Sequence, residues 1–153
     1  MKVSTKARYA VMAMTDLASH GTDQHVSLSE IAMRQELPLP YLEQLFNKLK
    51  KSGMVKSSRG SHGGYLLNHP AAEIRIIDVI QAVETPVKTT RCDNHSSKGC
   101  RHGGGRCLTH DLWEELGDVI RLFLAKVTLA DVCERRVLGL GKFNFHEPRM
   151  YSL

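Results

Sequence analysis

Apolar residues recur at helical spacing over residues 4–20, where Ala7, Ala10, Val11, Met14, Leu17 and Ala18 line one face and Gly21 is placed to end the helix. Ser27-Leu28-Ser29-Glu30 has the spacing of a capping box, in which the serine hydroxyl and the Glu30 carboxylate each satisfy an orphan amide. It opens a short helix, SEIAMRQE, that stops before Leu37-Pro38. Pro40 suits the first turn of a third helix, where its missing N–H costs nothing. That helix, YLEQLFNKLKKSG, turns Leu42, Leu45, Phe46 and Leu49 inward and Tyr41, Glu43, Gln44, Asn47, Lys48 and Lys51 outward, with Gly53 at its C′ position.

The period then changes. Met54 to Ser58 is β-compatible, Arg59 to Gly64 is a turn, and Tyr65-Leu66-Leu67 returns as a second strand. Two short helices with a tight turn between them, the second polar and basic outward, followed at once by a hairpin, is the pattern of a winged helix-turn-helix. Gly60, Gly63 and Gly64 at the hairpin tip allow close backbone approach to a groove. Arg59 beside them is a candidate for a minor groove, whose negative potential attracts guanidinium groups.

Residues 70–84 predict another helix, with Ile76, Ile77, Val79, Ile80 and Val83 as its apolar surface. From Thr85 to Cys107 there is no periodicity. Thr109 restarts a helix to about Val127, with Leu112, Trp113, Leu116, Val119, Ile120, Phe123, Leu124 and Val127 forming a stripe wider than one small domain would cover. Since helix-turn-helix proteins read two half-sites as dimers, this stripe is expected to face a second copy. Thr128 to Asp131 caps one more short helix, VCERRVLG. The expected fold class is therefore mainly α with a small β wing: a winged helix-turn-helix over 1–84, a loop over 85–108, a dimerisation helix and a short helix over 109–135, and a tail over 136–153.

With 153 residues, 42% hydrophobic and 24% charged, the chain is an ordinary globular one, and its apolar runs are too short to span a membrane. The N-terminal segment is amphipathic and has no secretory h-region, so the expected location is the cytoplasm, with no membrane partner. The net charge of +5 points weakly to an anionic partner. Its distribution says more: between Gln44 and Arg59 lie five basic residues and no acidic one.

The stretch RCDNHSSKGCRHGGGRCLTH, residues 91–110, holds three of the four cysteines and three of the eight histidines. Cytoplasmic thiols stay reduced and, when clustered, tend to bind metal, which disfavours a disulfide staple. The spacing Cys92-x7-Cys100-x6-Cys107-x2-His110 is looser than the tight pairs zinc prefers, although three cysteines and a histidine can hold zinc. An iron–sulfur cluster, larger than one ion, suits ligands with such reach. His95 and His102 compete with His110 for the fourth position, while Cys133, in a helical segment, reads as a buried or surface thiol rather than a ligand.

The segments KARYAVMAMTDLA, LSEIA, PYLEQLFNKLKKSGMVKSSRG, GGYLL and the RC…C…CLTHDLW pattern together resemble the iron–sulfur cluster regulator family, over nearly all of residues 1–135. That resemblance implies a homodimeric winged-helix transcription factor carrying a [2Fe-2S] cluster on Cys92, Cys100, Cys107 and His110, loaded by the cluster-assembly machinery. It implies repression of cluster-assembly genes when the cluster is bound, regulation of other promoters, and double-stranded operator DNA as the partner. Tyr41, Glu43 and Gln44 on the recognition helix and Arg59 on the wing match the family's DNA-contacting positions, and Lys48, Lys51, Ser57 and Gly60 complete the expected set. Pro40 stands where the family often has serine, and Ser61-His62 where Pro-Gly is common. A related regulator sensing nitric oxide, or holding structural zinc, is the alternative. An enzyme is not expected, because no second cofactor motif and no nucleophile–base pair occurs outside the cysteine stretch.

Overall fold

In a computed structural model the described residues are 3–21, 24–60, 63–84 and 105–139. The first helix, α1 (Thr5–His20), starts at Ser4, whose hydroxyl accepts from the Ala7 amide at 3.1 Å. Its buried face is Ala7, Ala10, Ala13, Met14 and Leu17, and it carries one carboxylate, Asp16. α2 (Leu28–Gln35) opens on the Ser27–Glu30 capping box, with both reciprocal hydrogen bonds formed. Between it and α3 (Leu39–Lys51), Glu36 takes the left-handed conformation at φ 53°. Pro40 lies in the first turn of α3, and Leu42, Leu45, Phe46 and Leu49 are buried.

The wing is an antiparallel pair, β1 (Val55–Ser58) with β2 (Gly64–Leu67), in register Val55 opposite Leu67. Its second strand is fastened to the chain before α2 by a bridge between Val26 and Tyr65, with N···O distances of 2.8 and 3.0 Å. A Cβ on Gly64 would come within 2.6 Å of the Val26 carbonyl oxygen, so this approach requires glycine. Phe46 and Tyr65 meet edge-to-face at 4.8 Å, joining α3 to the wing.

The helix expected over 70–84 is shorter: α4 is Ile76–Val83. Residues before it are committed elsewhere, because Arg75 bridges Thr128, Ile76 N–H donates to Val127 and Leu129 N–H donates to Ile74. This pairing holds both the entry of α4 and the exit of α5 (His110–Lys126). Thr109 precedes α5 as expected, but its hydroxyl caps no amide. The last helix, α6, is Leu129–Cys133 rather than the expected VCERRVLG segment; its Thr128–Asp131 capping box forms, and Arg135 at φ 56° marks the turn beyond it. The core is one cluster shared by α1 to α4, the wing and the Val127–Leu129 connection. α5 adds Phe123 and Leu124 against that cluster near its C-terminal end, and its buried residues are His110 and Gly117. No helix among the described residues is long and apolar enough to cross a membrane.

Candidate nucleic-acid interface and metal centre

The outward side of α3 is built by default: four apolar residues at helical spacing are drawn into the core, and the polar ones between them are left facing solvent. Glu43, Gln44 and Lys51 are exposed there. Tyr41 is half-buried, its ring edge-on to Tyr9 of α1 at 5.7 Å. On the wing, Arg59 and Gly60 are exposed, and Gly60 has φ +117°, a conformation few other residues adopt. Ser57 is half-buried and accepts from Lys50 Nζ at 2.6 Å. Lys48 is placed differently from the other basic residues. Its ammonium donates to the Val83 carbonyl at 2.8 Å, at the C-terminal end of α4.

What holds α2 and α3 in place was not read from the sequence. The Asp16 side chain, with no exposed surface, accepts from Arg34 Nε at 3.1 Å on both oxygens and from Arg34 Nη2 at 2.6 Å on Oδ1. Gln35 donates to its other oxygen at 2.8 Å, and His20 Nδ1 lies 3.6 Å away. Burial pushes the Asp16 carboxyl up, yet hydrogen bonds from Arg34 and Gln35 and the charges of Arg34 and His20 outweigh it, leaving the group below the ordinary carboxylate range. The legible signal was a carboxylate interrupting an apolar face, between Ala13-Met14 and Leu17.

Of the four expected metal ligands, Cys92 and Cys100 lie outside the described residues, as do His95 and His102. Cys107 and His110 are described and sit within one turn, the His110 amide donating to the Cys107 carbonyl at 3.0 Å. His110 is 4% exposed at the start of α5, and Cys107 Sγ lies 3.7 Å from the Thr109 hydroxyl. Carboxylates that the sequence did not single out surround the imidazole. Donor atoms of His110, Asp111 and Glu114 lie within 4.8 Å of one another, with Glu114 at 3.6 Å from His110 Nε2. Arg106 pairs with Asp111 at 3.4 Å and Glu114 at 3.6 Å. A thiol in the turn before α5 and an imidazole at the helix's first position are ligand types that suit a soft metal centre. Cys133 is half-buried, its sulfur 3.4 Å from the Ser19 hydroxyl and 3.7 Å from the Thr15 carbonyl oxygen of α1.

The Rrf2 family model, described as an iron-dependent transcriptional regulator, matches residues 3–135. The HTH-type transcriptional regulator IscR of Yersinia pseudotuberculosis is 48% identical over 132 residues, 86% of this chain and 79% of that one. An HTH-type transcriptional regulator of Neisseria meningitidis is 47% identical over 141 residues, 92% of this chain and 93% of its own. Among solved structures, T. potens IscR superposes with a TM-score of 0.72 at 39% identity, over 89% of this chain and 88% of that one. CymR, named as the global cysteine regulator of B. subtilis, superposes with a TM-score of 0.73 at 31% identity, over 88% of this chain and 98% of its own. These relatives are named as regulators of transcription, not as enzymes.

Proposed function

The chain belongs to the Rrf2 family of transcriptional regulators, and from that premise we propose that it is a homodimeric operator-binding protein whose site preference is set by an iron–sulfur cluster. The observation that carries this reading is the joint presence of an exposed polar recognition helix with its wing and of Cys107 in the turn that leads into α5, its carbonyl accepting from the amide of His110, the first residue of that helix. Cys92, Cys100, Cys107 and His110 hold the [2Fe-2S] cluster, delivered by the cluster-assembly machinery. When bound, it supplies a redox-sensitive and removable cross-link between the cysteine stretch and α5. Its presence favours repression of cluster-assembly genes, and other promoters are regulated with or without it. The protein acts in the cytoplasm, where a transcriptional regulator meets its operators.

On the DNA side, α3 lies in the major groove, with Tyr41 and Gln44 at base edges and Glu43 accepting from cytosine N4. Glu43 repels sites without that donor, so a carboxylate here enforces choice. Lys51 neutralises phosphate, Ser57 and Gly60 bring the wing backbone close, and Arg59 enters the minor groove. Arg59→Ala is expected to weaken binding to a specific operator by about 1–3 kcal/mol. Titrating both proteins against one labelled duplex checks this, and equal affinities would remove Arg59 from the interface.

Anaerobically purified protein is expected to be coloured, with two irons and two acid-labile sulfides per chain as the formula of the [2Fe-2S] cluster requires. The carboxylates beside His110 support one second reading, in which zinc is held structurally. Colourless protein with stoichiometric zinc and no sulfide would establish that reading and overturn the first. Comparing cluster-loaded and cluster-free protein over operators with altered cytosines then tests the link between cluster and site choice.

A further inference from the structure

The end of α4 is held on two sides. Its last carbonyl, Val83, is one of the terminal acceptors that a helix leaves without an internal partner, and it accepts from Lys48 Nζ at 2.8 Å. The C-cap residue Glu84 accepts through Oε2 from the hydroxyl of Ser4, which also caps α1. A cation at the negative end of a helix is favoured by the aligned peptide dipoles as well as by the hydrogen bond. Lys48 lies in the last turn of the recognition helix, 35 residues from Val83 in sequence. Glu84 is followed directly in sequence by the stretch that carries Cys92 and Cys100. Recognition helix, start of α1 and exit of α4 are thus joined by two polar contacts at one point.

We propose that Lys48 is a positioning residue, not a phosphate contact: it latches α3 to the exit of α4, so that a pull on that exit changes the seat of the recognition helix. Its link to the cluster rests on the function proposed above; the latch itself does not. A long side chain tied to a carbonyl at one helix end transmits displacement because a shift of Val83 either drags the ammonium or breaks the bond. Lysine on a free outward face would have no such constraint, and Lys51, one turn nearly complete further on, is the internal comparison.

Three measurements on the full chain test this, with Lys48→Met, which keeps the length and loses the donor, and Lys48→Arg as the conservative variant. In cluster-free protein without DNA, Lys48→Met should speed amide exchange over Ala82 to Glu84 by roughly tenfold, the effect of losing one charge-assisted hydrogen bond, and Lys48→Arg should restore protection. Unchanged exchange overturns the latch. In operator binding, the slope of log affinity against log salt should be the same for Lys48→Met as for the wild type. A slope shallower by about 0.9 would mark a lost phosphate contact and overturn the assignment. Finally, the ratio of affinities of cluster-loaded to cluster-free protein should move toward one in Lys48→Met and return with Lys48→Arg. Ser4→Gly, which preserves much of the α1 cap while removing the hydroxyl that reaches Glu84, should lower the same ratio. A wild-type ratio of one on every operator sinks the proposed cluster dependence and leaves the latch to be judged on exchange and salt slope. A wild-type ratio that survives intact in Lys48→Met sinks the coupling.

Discussion

Asp16→Ala is expected to lower folding stability by about 3–5 kcal/mol, the effect of removing one partner from a buried, hydrogen-bonded charge pair. The carboxylate is fully buried and takes three hydrogen bonds from Arg34 and one from Gln35, so its loss strands both groups. Arg34 and Gln35 form the last turn of α2, immediately before the turn that aims α3. Loss of operator binding should therefore accompany loss of stability, and urea unfolding monitored by circular dichroism gives the magnitude. A change under 1 kcal/mol would mean that the network is replaceable by water. The pH dependence has a definite sign. The folded-state pKa of Asp16 lies below its unfolded value, so its contribution is complete above the ordinary aspartate value of about 4 and is lost as pH falls through the lower, folded value. Asp16→Asn should be less stable than the wild type at neutral pH, and the gap should close on acidification. A gap constant from neutrality to acid would contradict the depressed pKa.

The second large effect concerns assembly. Leu112 and Leu122 are 61% and 60% exposed, and Trp113 is 45% exposed, on a helix whose buried residues are His110 and Gly117. Helical geometry puts Leu112 on a different side from His110 and Gly117, and packing on the chain's own domain, which takes in Phe123 and Leu124, leaves Leu112, Leu122 and much of Trp113 in solvent. Burying a leucine stabilises by roughly 1.5–3 kcal/mol, and in the homodimer proposed above a second α5 would supply the cover. Leu112→Glu combined with Leu122→Glu is expected to convert a dimer to a monomer by sedimentation equilibrium. Affinity for a two-half-site operator should then fall on the order of 10²–10⁴-fold, the advantage of tethering two readers, while circular dichroism stays unchanged. A wild-type chain that sediments as a monomer would refute the dimer directly.

Much of this fold is readable because its signals are local. The Ser27–Glu30 and Thr128–Asp131 boxes need only residues three apart, and both form. The inward set of α3 follows from spacing alone, as does the hairpin. Where expectation and structure part, a distant partner is responsible. Residues 70–75 are apolar enough for helix, yet Ile74 and Arg75 pair with the Val127–Leu129 connection and hold the chain extended there. Beyond Cys133 the charges of Glu134, Arg135 and Arg136 offer no face to bury, and the helix ends.

The candidate site divides along the same line. Residue types and order establish a winged-helix reader, a basic run and a cysteine–histidine stretch, because hydrophobic period, turn chemistry and ligand softness are properties of neighbours in the chain. Tertiary structure decides that Asp16 grips Arg34 across 18 residues, that Lys48 turns to Val83 across 35, and that His110 is buried beside Glu114 at the start of α5. Those contacts depend on which helix faces close on one another, and a long polar side chain finds its partner only after the apolar faces have chosen theirs.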